Sequence, residues 1–181
     1  MPWPQTAGEQ EIDMNLKDEL ALLIRQEEIL QFPRFDEEIA WQLGTLLHGW
    51  ATANDWPLVI DVRRFDRPLF FAARPGITSD NHDWVRRKAN TVQRFLRSSY
   101  RIKHQLALEN LDISQRYYLS PADYASVGGG FPLAVQGAGV IGSITVSGLP
   151  DRQDHQLIVE ALCEMLGQDR DALALPAEAP R

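Results

Sequence analysis

Asn81, Trp84, Arg87, Lys88, Asn90, Arg94 and Ser98 lie close together in the most basic stretch of an acidic chain. From Arg86 the run continues through Arg87, Lys88, Arg94, Arg97, Arg101 and Lys103 with no acidic residue between them. Guanidinium groups meet carboxylates and phosphates through planar, multi-donor contacts. Trp84 can stack on a flat ligand, and Asn81 and Asn90 can orient one. Together these residues predict a surface that recognises a small anionic ligand or the acidic face of a partner protein. The opposing reading is a solvated helix face, its arginines paired to acids of this chain or a neighbour, which is the commoner fate of such runs.

The remaining candidates for chemistry are sparse. His48, His82, His104 and His155 form no H-x-x-x-H pair, which argues against a structural zinc site. A single histidine can ligate haem iron, and His48 and His104 are the candidates for that role. Gly128, Gly129 and Gly130 are not followed by Gly-Lys-Ser/Thr, so they are no phosphate loop. Close backbone approach before a strand is one role for them; a place in a ligand pocket is the other. Ser98, Ser99, Ser143 and Ser147 have no identifiable His–acid partners. Asp61 and Asp66 flank a hairpin, where general acids are found but where turn aspartates are common. Cys163 is the only cysteine and falls in an apolar helical pattern, which predicts a buried thiol and no internal disulfide.

The basic residues need a helix to position them. Asp80 is a suitable N-cap, and Asp83 places negative charge in the first turn. Val85, Ala89, Val92 and Phe95 or Leu96 recur at helical spacing and predict a core-facing stripe. Arg87, Thr91, Arg94 and Ser98 share a second stripe; Asn81, Trp84 and Lys88 share a third.

The chain has 181 residues, 44% hydrophobic and 24% charged, which fits one globular domain. A net charge of -7 disfavours non-specific binding to nucleic acid or acidic membranes. No apolar run is long enough to span a bilayer and no secretory leader is evident, so the expected location is the cytoplasm. Residues 1–14 read as a flexible tail, 15–166 as the domain and 167–181 as a frayed tail. Within the domain the pattern predicts a helix over 15–30, broken at Pro33, and a short edge strand over 31–35. A helix capped by Asp36 runs to about Asn54. Two hairpins follow, 58–63 with 69–73 and 131–136 with 140–147, with helices between and after them. Ser120–Tyr124 has the pattern of a short helix. Helices flanking paired hairpins make the class α+β with a largely antiparallel sheet.

Several of these stretches resemble a known family. Gly128-Gly-Gly-Phe-Pro-Leu133, Gly139-Val-Ile-Gly-Ser-Ile-Thr-Val-Ser-Gly148 and the helix start at Asp154 resemble the GlcG/HbpS-like superfamily, which includes haem-degrading-domain proteins and the PduO C-terminal domain. A cytosolic UPF branch of it is similar through Phe32-Pro-x-Phe35, Val59-Ile-Asp-Val-Arg63, Pro75-Gly-x-Thr-x-Asp-Asn81, Trp84-Val-Arg-Arg-Lys-x-Asn90 and Arg94-Phe-x-x-Ser-Ser-Tyr100. The resemblance implies a profilin- or roadblock-like α/β/α unit with a five-stranded antiparallel sheet flanked by helices. It also implies a homo-oligomer, dimer or larger ring, and haem, corrinoid or another small molecule as ligand.

The resulting expectation is a non-catalytic, oligomeric binding or assembly protein. Its site would comprise Asn81, Trp84, Arg87, Lys88, Asn90, Arg94 and Ser98, with Gly128–Gly130 nearby. The alternatives are a haem-binding, haem-degrading protein and a small-molecule enzyme for which no nucleophile is apparent.

Overall fold

The computed structural model describes residues 7–177, with side chains from Met14 onward. In chain order the elements are α1 (Ala7–Ile29), α2 (Glu37–Ala53), β1 (Val59–Arg64), β2 (Arg67–Ala73), α3 (Ser79–Phe95) and α4 (Ser99–Glu109). They continue with α5 (Ile113–Tyr117), β3 (Gly130–Val135), β4 (Gly139–Ser147), α6 (Asp151–Leu166) and α7 (Arg170–Leu173). Residues 1–6 and 178–181, on which part of each expected tail falls, lie outside the described residues.

The sheet has four strands in the order β2-β1-β4-β3, every neighbouring pair antiparallel. The expected fifth strand is not formed. Residues 31–35 contribute a single bridge, in which Phe32 N–H donates to Ala134 O and Phe32 O accepts from Gln136 N–H, both at 2.9 Å. Phe32 alone pairs, and residues 33–35 add no further bridge.

Alternation along the strands gives the sheet two unlike faces. Ile60 and Val62 of β1, Ile144 and Val146 of β4, and Phe131 and Leu133 of β3 face α2 and α6, where Leu43, Leu47, Ile158 and Leu162 are fully buried. The other face carries Asp61, Ser143, Thr145 and Ser147, with Asp61 opposite Thr145 in the ladder. Helix α3 covers this face, as the adjacent residues Phe70 and Phe71 show. Phe70 meets Trp41 of α2, whereas Phe71 meets His82 of α3.

Local signals explain most element boundaries. Asp36 caps α2 by accepting from Ile39 N–H at 2.9 Å. The N-cap of α3 is Thr78, not Asp80. Asn81 Oδ1 accepts from the Thr78 backbone N–H at 2.9 Å and its hydroxyl at 3.2 Å, closing the first turn. Residues 121–123 form a turn and not the expected short helix, so a proline at the first helical position was an insufficient signal.

Among the described residues, helices extend into both expected tails. Helix α1 begins at Ala7, well before the expected Asn15. After α6, Asp169 caps α7 and Leu173 is 2% exposed. Gln26 ties this segment down: its amide donates to Leu173 O at 2.7 Å and its carbonyl accepts from His155 Nε2–H at 2.8 Å. Leu175 N–H donating to Gln156 Oε1 at 3.1 Å, Arg152 donating to Pro176 O and the Arg170–Glu164 ion pair add to this docking. Leu173→Ala is expected to lower the unfolding free energy by about 2–3 kcal/mol in urea denaturation. A loss below about 0.5 kcal/mol, the range of ordinary surface changes, would mean that the segment adds nothing.

Candidate functional site

Lys88 lies three residues after Val85 and four before Val92, on the buried stripe of α3. Its side chain is 3% exposed, so its ammonium has to find partners inside the protein. It donates to Asp154 Oδ2 at 2.8 Å and to Val146 O at 2.9 Å. Asp154, at the start of α6, is 2% exposed in its side chain and accepts from Leu149 N–H at 3.0 Å through its other oxygen.

The pair opens onto a cleft of about 250 Å³ whose walls include Asn81, Trp84, Ser147 and Asp151. Trp84 is held from two sides. Its indole N–H donates to Asp80 at 3.0 Å, and the Arg87 guanidinium lies 3.8 Å from its ring centroid. Asp151 is matched by Lys103, with which it forms an ion pair.

The glycine loop makes this arrangement sterically feasible. Gly129 has φ +109°, and a Cβ there would come within 2.6 Å of Lys88 Nζ. A Cβ on Gly128 would strike Asp151 O at 1.9 Å. The loop is therefore a floor for the lysine and the start of α6, the close-approach role foreseen for it.

The electrostatics follow from exclusion of water. Burial pushes the Asp154 carboxyl up to about 6, against the pull of the Lys88 charge and hydrogen bond. Burial likewise pushes Lys88 down from the ordinary lysine value, against the pull of Asp154. Both shifts favour the uncharged forms, so desolvation outweighs the attraction within the pair. At Asp151 burial also acts upward, but the Lys103 hydrogen bond and charge and the backbone N–H of Gly128 outweigh it and hold the carboxyl below the usual range.

The residues expected to form one site divide into groups. Asn81, Trp84 and Lys88 line the cleft; Gly129 lies against the Lys88 amine and Gly128 against the start of α6. Gly130 packs beside Ser99 and Val92. Arg87 stands behind Trp84, paired to Asp83 at 2.8 Å. Asn90 and Arg94 line a second, more polar groove with Gln93, Asp123 and Tyr124. Ser98 belongs to neither: it is buried and caps α4, accepting from Arg101 N–H at 3.2 Å.

Much of the basic run is internally paired. Arg86 reaches Asp83 and Asp123, Arg101 reaches Glu27, and Lys103 reaches Asp151. Arg94 and Arg97 are exposed and have no ion partner among the described residues. Asp61 and Asp66, the hairpin acids, are held by Arg63 at 2.6 Å and Arg67 at 2.8 Å.

Asp154, Asp151 and Ser147 were not foreseen as site residues. One signal for Asp154 was present: a lysine at a core position of an apolar stripe requires a buried acid. Nothing in the spacing shows which acid that is, because Asp154 is distant in sequence.

The histidines proposed as iron ligands are placed differently. His104 is buried with both ring nitrogens engaged, Nδ1 with Tyr100 O at 3.0 Å and Nε2 with Glu19 at 2.8 Å. His48 is half-buried on α2. Neither lines the Lys88 cleft or the Arg94 groove. Haem needs an apolar slot and a free axial ligand. Both ring nitrogens of His104 are engaged, and the half-buried His48 lines neither cavity.

A two-faced antiparallel sheet flanked by helices, with a polar cleft beside one of them, defines an α+β class. The sequence pattern of the family described as "Haem degrading protein HbpS-like" matches residues 35–163, and the chain belongs to that family. It is 68% identical over 162 residues to a UPF0303 protein of Pseudomonas entomophila (strain L48), covering 90% of each. Its fold is like the crystal structure of the Ybr137w protein, with a TM-score of 0.77 at 24% identity over 82% of this chain and 87% of that one. It is also like the crystal structure of a PduOC:heme complex, with a TM-score of 0.61 at 16% identity over 71% and 93%. Among the described residues, no helix is long and apolar enough to cross a membrane.

The shifted carboxyl carries a pH signature. Native Asp154 binds its proton more tightly than the unfolded chain does, since about 6 lies above the ordinary 3.8. Its contribution to stability is therefore full below the ordinary value and is lost as pH rises through about 6. In chemical denaturation, wild-type stability relative to Asp154→Asn should fall between about pH 4 and about pH 7. A difference that grows with pH would mean that Lys88 holds the carboxyl ionised in the native state.

Proposed function

We propose that the chain is a non-catalytic binding protein that holds a small polar molecule in the Lys88 cleft and acts as a homo-oligomer. The observation that carries this reading is the buried Lys88–Asp154 pair opening onto a cleft walled by Asn81, Trp84 and Ser147. Burying two charges is costly, and polar groups converging on a concave site are what a small ligand requires. Lys88 is matched by Asp154, and the lining Asp151 is matched by Lys103, which favours a polar ligand over a strongly anionic one. An anion or an acidic partner would instead meet Arg94 and Arg97.

A second reading, haem binding, is supported by the family and by the likeness to the PduOC:heme complex. It requires His104 to be released from Tyr100 and Glu19, or an apolar slot beside His48, with Arg94 or Arg97 to meet propionates. One screen separates the two readings: thermal shift against a panel of small polar metabolites, with haem followed in the Soret band. The cleft reading expects a hit whose affinity falls about tenfold, or about 1.4 kcal/mol, in Asn81→Ala and Trp84→Ala but not in Arg97→Ala. A hit insensitive to both cleft variants would overturn it. A saturable Soret shift at one haem per chain or per dimer, lost in His48→Ala or His104→Ala, would establish haem instead.

Assembly rests on the sheet edges. The β3 edge is partly covered by the Phe32 bridge. The β2 edge is a terminal strand of the sheet, flanked by Trp41 at 60% and Phe71 at 49% exposure. An uncovered edge with aromatics beside it favours symmetric pairing of copies. Sedimentation at micromolar concentration should therefore give at least a dimer of the 20.5 kDa chain. A monomer at that concentration would end the assembly reading.

A further inference from the structure

We propose that Lys88 captures a small aldehyde or ketone in this cleft as a covalent imine, with Asp154 relaying the protons. The proposal rests on the small-ligand reading of the same cleft and names the ligand class.

The first argument is the residue type. This chain meets its buried or half-buried carboxylates mostly with arginine: Arg63 with Asp61, Arg101 with Glu27 and Arg152 with Glu19. Arginine is the better partner for a buried carboxylate, because its planar fork makes two parallel bonds. At the most enclosed of these pairs the chain carries a lysine. A lysine can shed its proton inside a protein and an arginine cannot, so lysine supplies a nucleophile where arginine would supply only charge.

The second argument is geometry. Two of the three ammonium positions of Lys88 are taken, by Asp154 at 2.8 Å and Val146 O at 2.9 Å. The third is available to a ligand in the cleft that the residue lines. Gly129 removes the side chain that would otherwise press on the amine at 2.6 Å. Asp154 lies within direct proton-transfer distance. Trp84 offers an apolar wall for the carbon skeleton, and Asn81 and Ser147 offer polar contacts for a substituent.

Burial acts in the same direction. It lowers the lysine and raises the aspartate, which increases the share of free amine and of carboxylic acid that imine formation uses.

The step balances without an oxidant or reductant. The Lys88 lone pair attacks the carbonyl carbon, and the C=O π pair moves onto oxygen, which takes the proton of the Asp154 carboxylic acid. The nitrogen of the carbinolamine gives a proton to the Asp154 carboxylate. The resulting carboxylic acid protonates the hydroxyl, the C–O bond breaks, and water leaves as the C=N bond forms. The iminium so formed returns its proton to the Asp154 carboxylate, so amine plus carbonyl gives imine plus water, and hydrolysis releases the ligand unchanged. The cleft is thus a reversible covalent trap.

The test uses the full chain with acetaldehyde and with pyruvate, each at limiting concentration with sodium cyanoborohydride, followed by peptide mapping. The chain carries only two other lysines, Lys17 and Lys103, which serve as internal controls. Lys88 is expected to be alkylated about tenfold or more above Lys17 by at least one probe, because burial lowers it from the ordinary lysine value and raises its share of free amine. Asp154→Asn should reduce labelling at Lys88 and leave Lys17 unchanged. Lys88→Arg, which preserves the cation, controls for folding and should leave Lys17 and Lys103 labelled as before. Lys88 labelling at or below that of Lys17 with both probes overturns the proposal. Binding is read separately, as fluorescence quenching without reductant that is lost in Trp84→Phe. Saturable quenching without a Lys88 adduct leaves the small-ligand reading standing and rejects the imine. If neither probe quenches or labels and the metabolite panel has no hit at the cleft, both readings fall.

Discussion

Lys88 and Asp154 meet at 2.8 Å where water is excluded, and the seating of α3 on the sheet turns on that contact. Taking either ion out of water costs several kcal/mol, and attraction between them repays this only with good geometry and further hydrogen bonds. Val146 O and Leu149 N–H add hydrogen bonds that offset part of this cost, but desolvation still outweighs the attraction, and one ammonium position of Lys88 faces the cleft. The contact joins three distant parts of the chain: α3, the end of β4 and the first turn of α6. The local features around it follow from this crowding, including the glycine loop that passes beneath the amine.

The sheet is unusual in having one oily face and one polar face, both covered. The α2 and α6 side is an ordinary core of leucine, isoleucine and phenylalanine. The α3 side buries Asp61, Ser143, Thr145 and Ser147, and the hydroxyls of Ser143 and Thr145 find no partner among the described residues. Unsatisfied buried hydroxyls weaken a layer relative to an apolar one. The stability of the molecule therefore resides mainly on the α2 and α6 side. A second polar cluster, Gln26 with His155, works differently. Burial pushes His155 down to about 3, so the ring stays neutral and serves as a fixed donor that locks α1 and the C-terminal segment to α6.

The basic helix is a case in which a strong sequence feature had a less specific cause than its appearance implied. Its charges were visible and its register was visible, but most of its cations are matched by acids that spacing could not reveal. Asp83 was within reach of such reasoning, being three and four residues before Arg86 and Arg87. Asp123, Asp151, Asp154 and Glu27 were not, because they come from other elements. The same limit explains the cap of α3. Asp80 is the stronger capping residue by type, but the chain places Thr78 and Asn81 where their groups close the turn, and Asp80 is left to hold Trp84.

The sequence by itself determined the elements and the faces they bury, because helix and strand periods are written in neighbouring residues. The Asp36 cap of α2, both hairpins, the apolar stripe of α3, the buried Cys163 and the α+β class were all legible at that level. Tertiary structure alone decided which polar residues share a site. It divided the expected cluster into a cleft at Asn81, Trp84 and Lys88, a groove at Asn90 and Arg94, and a buried cap at Ser98. It also reduced the fifth strand to a single bridge at Phe32 and folded the C-terminal segment onto Gln26. The physical reason is common to these cases. Hydrogen bonds and ion pairs between distant residues depend on where whole elements pack, and packing is set by the summed burial of the core, not by any local pattern.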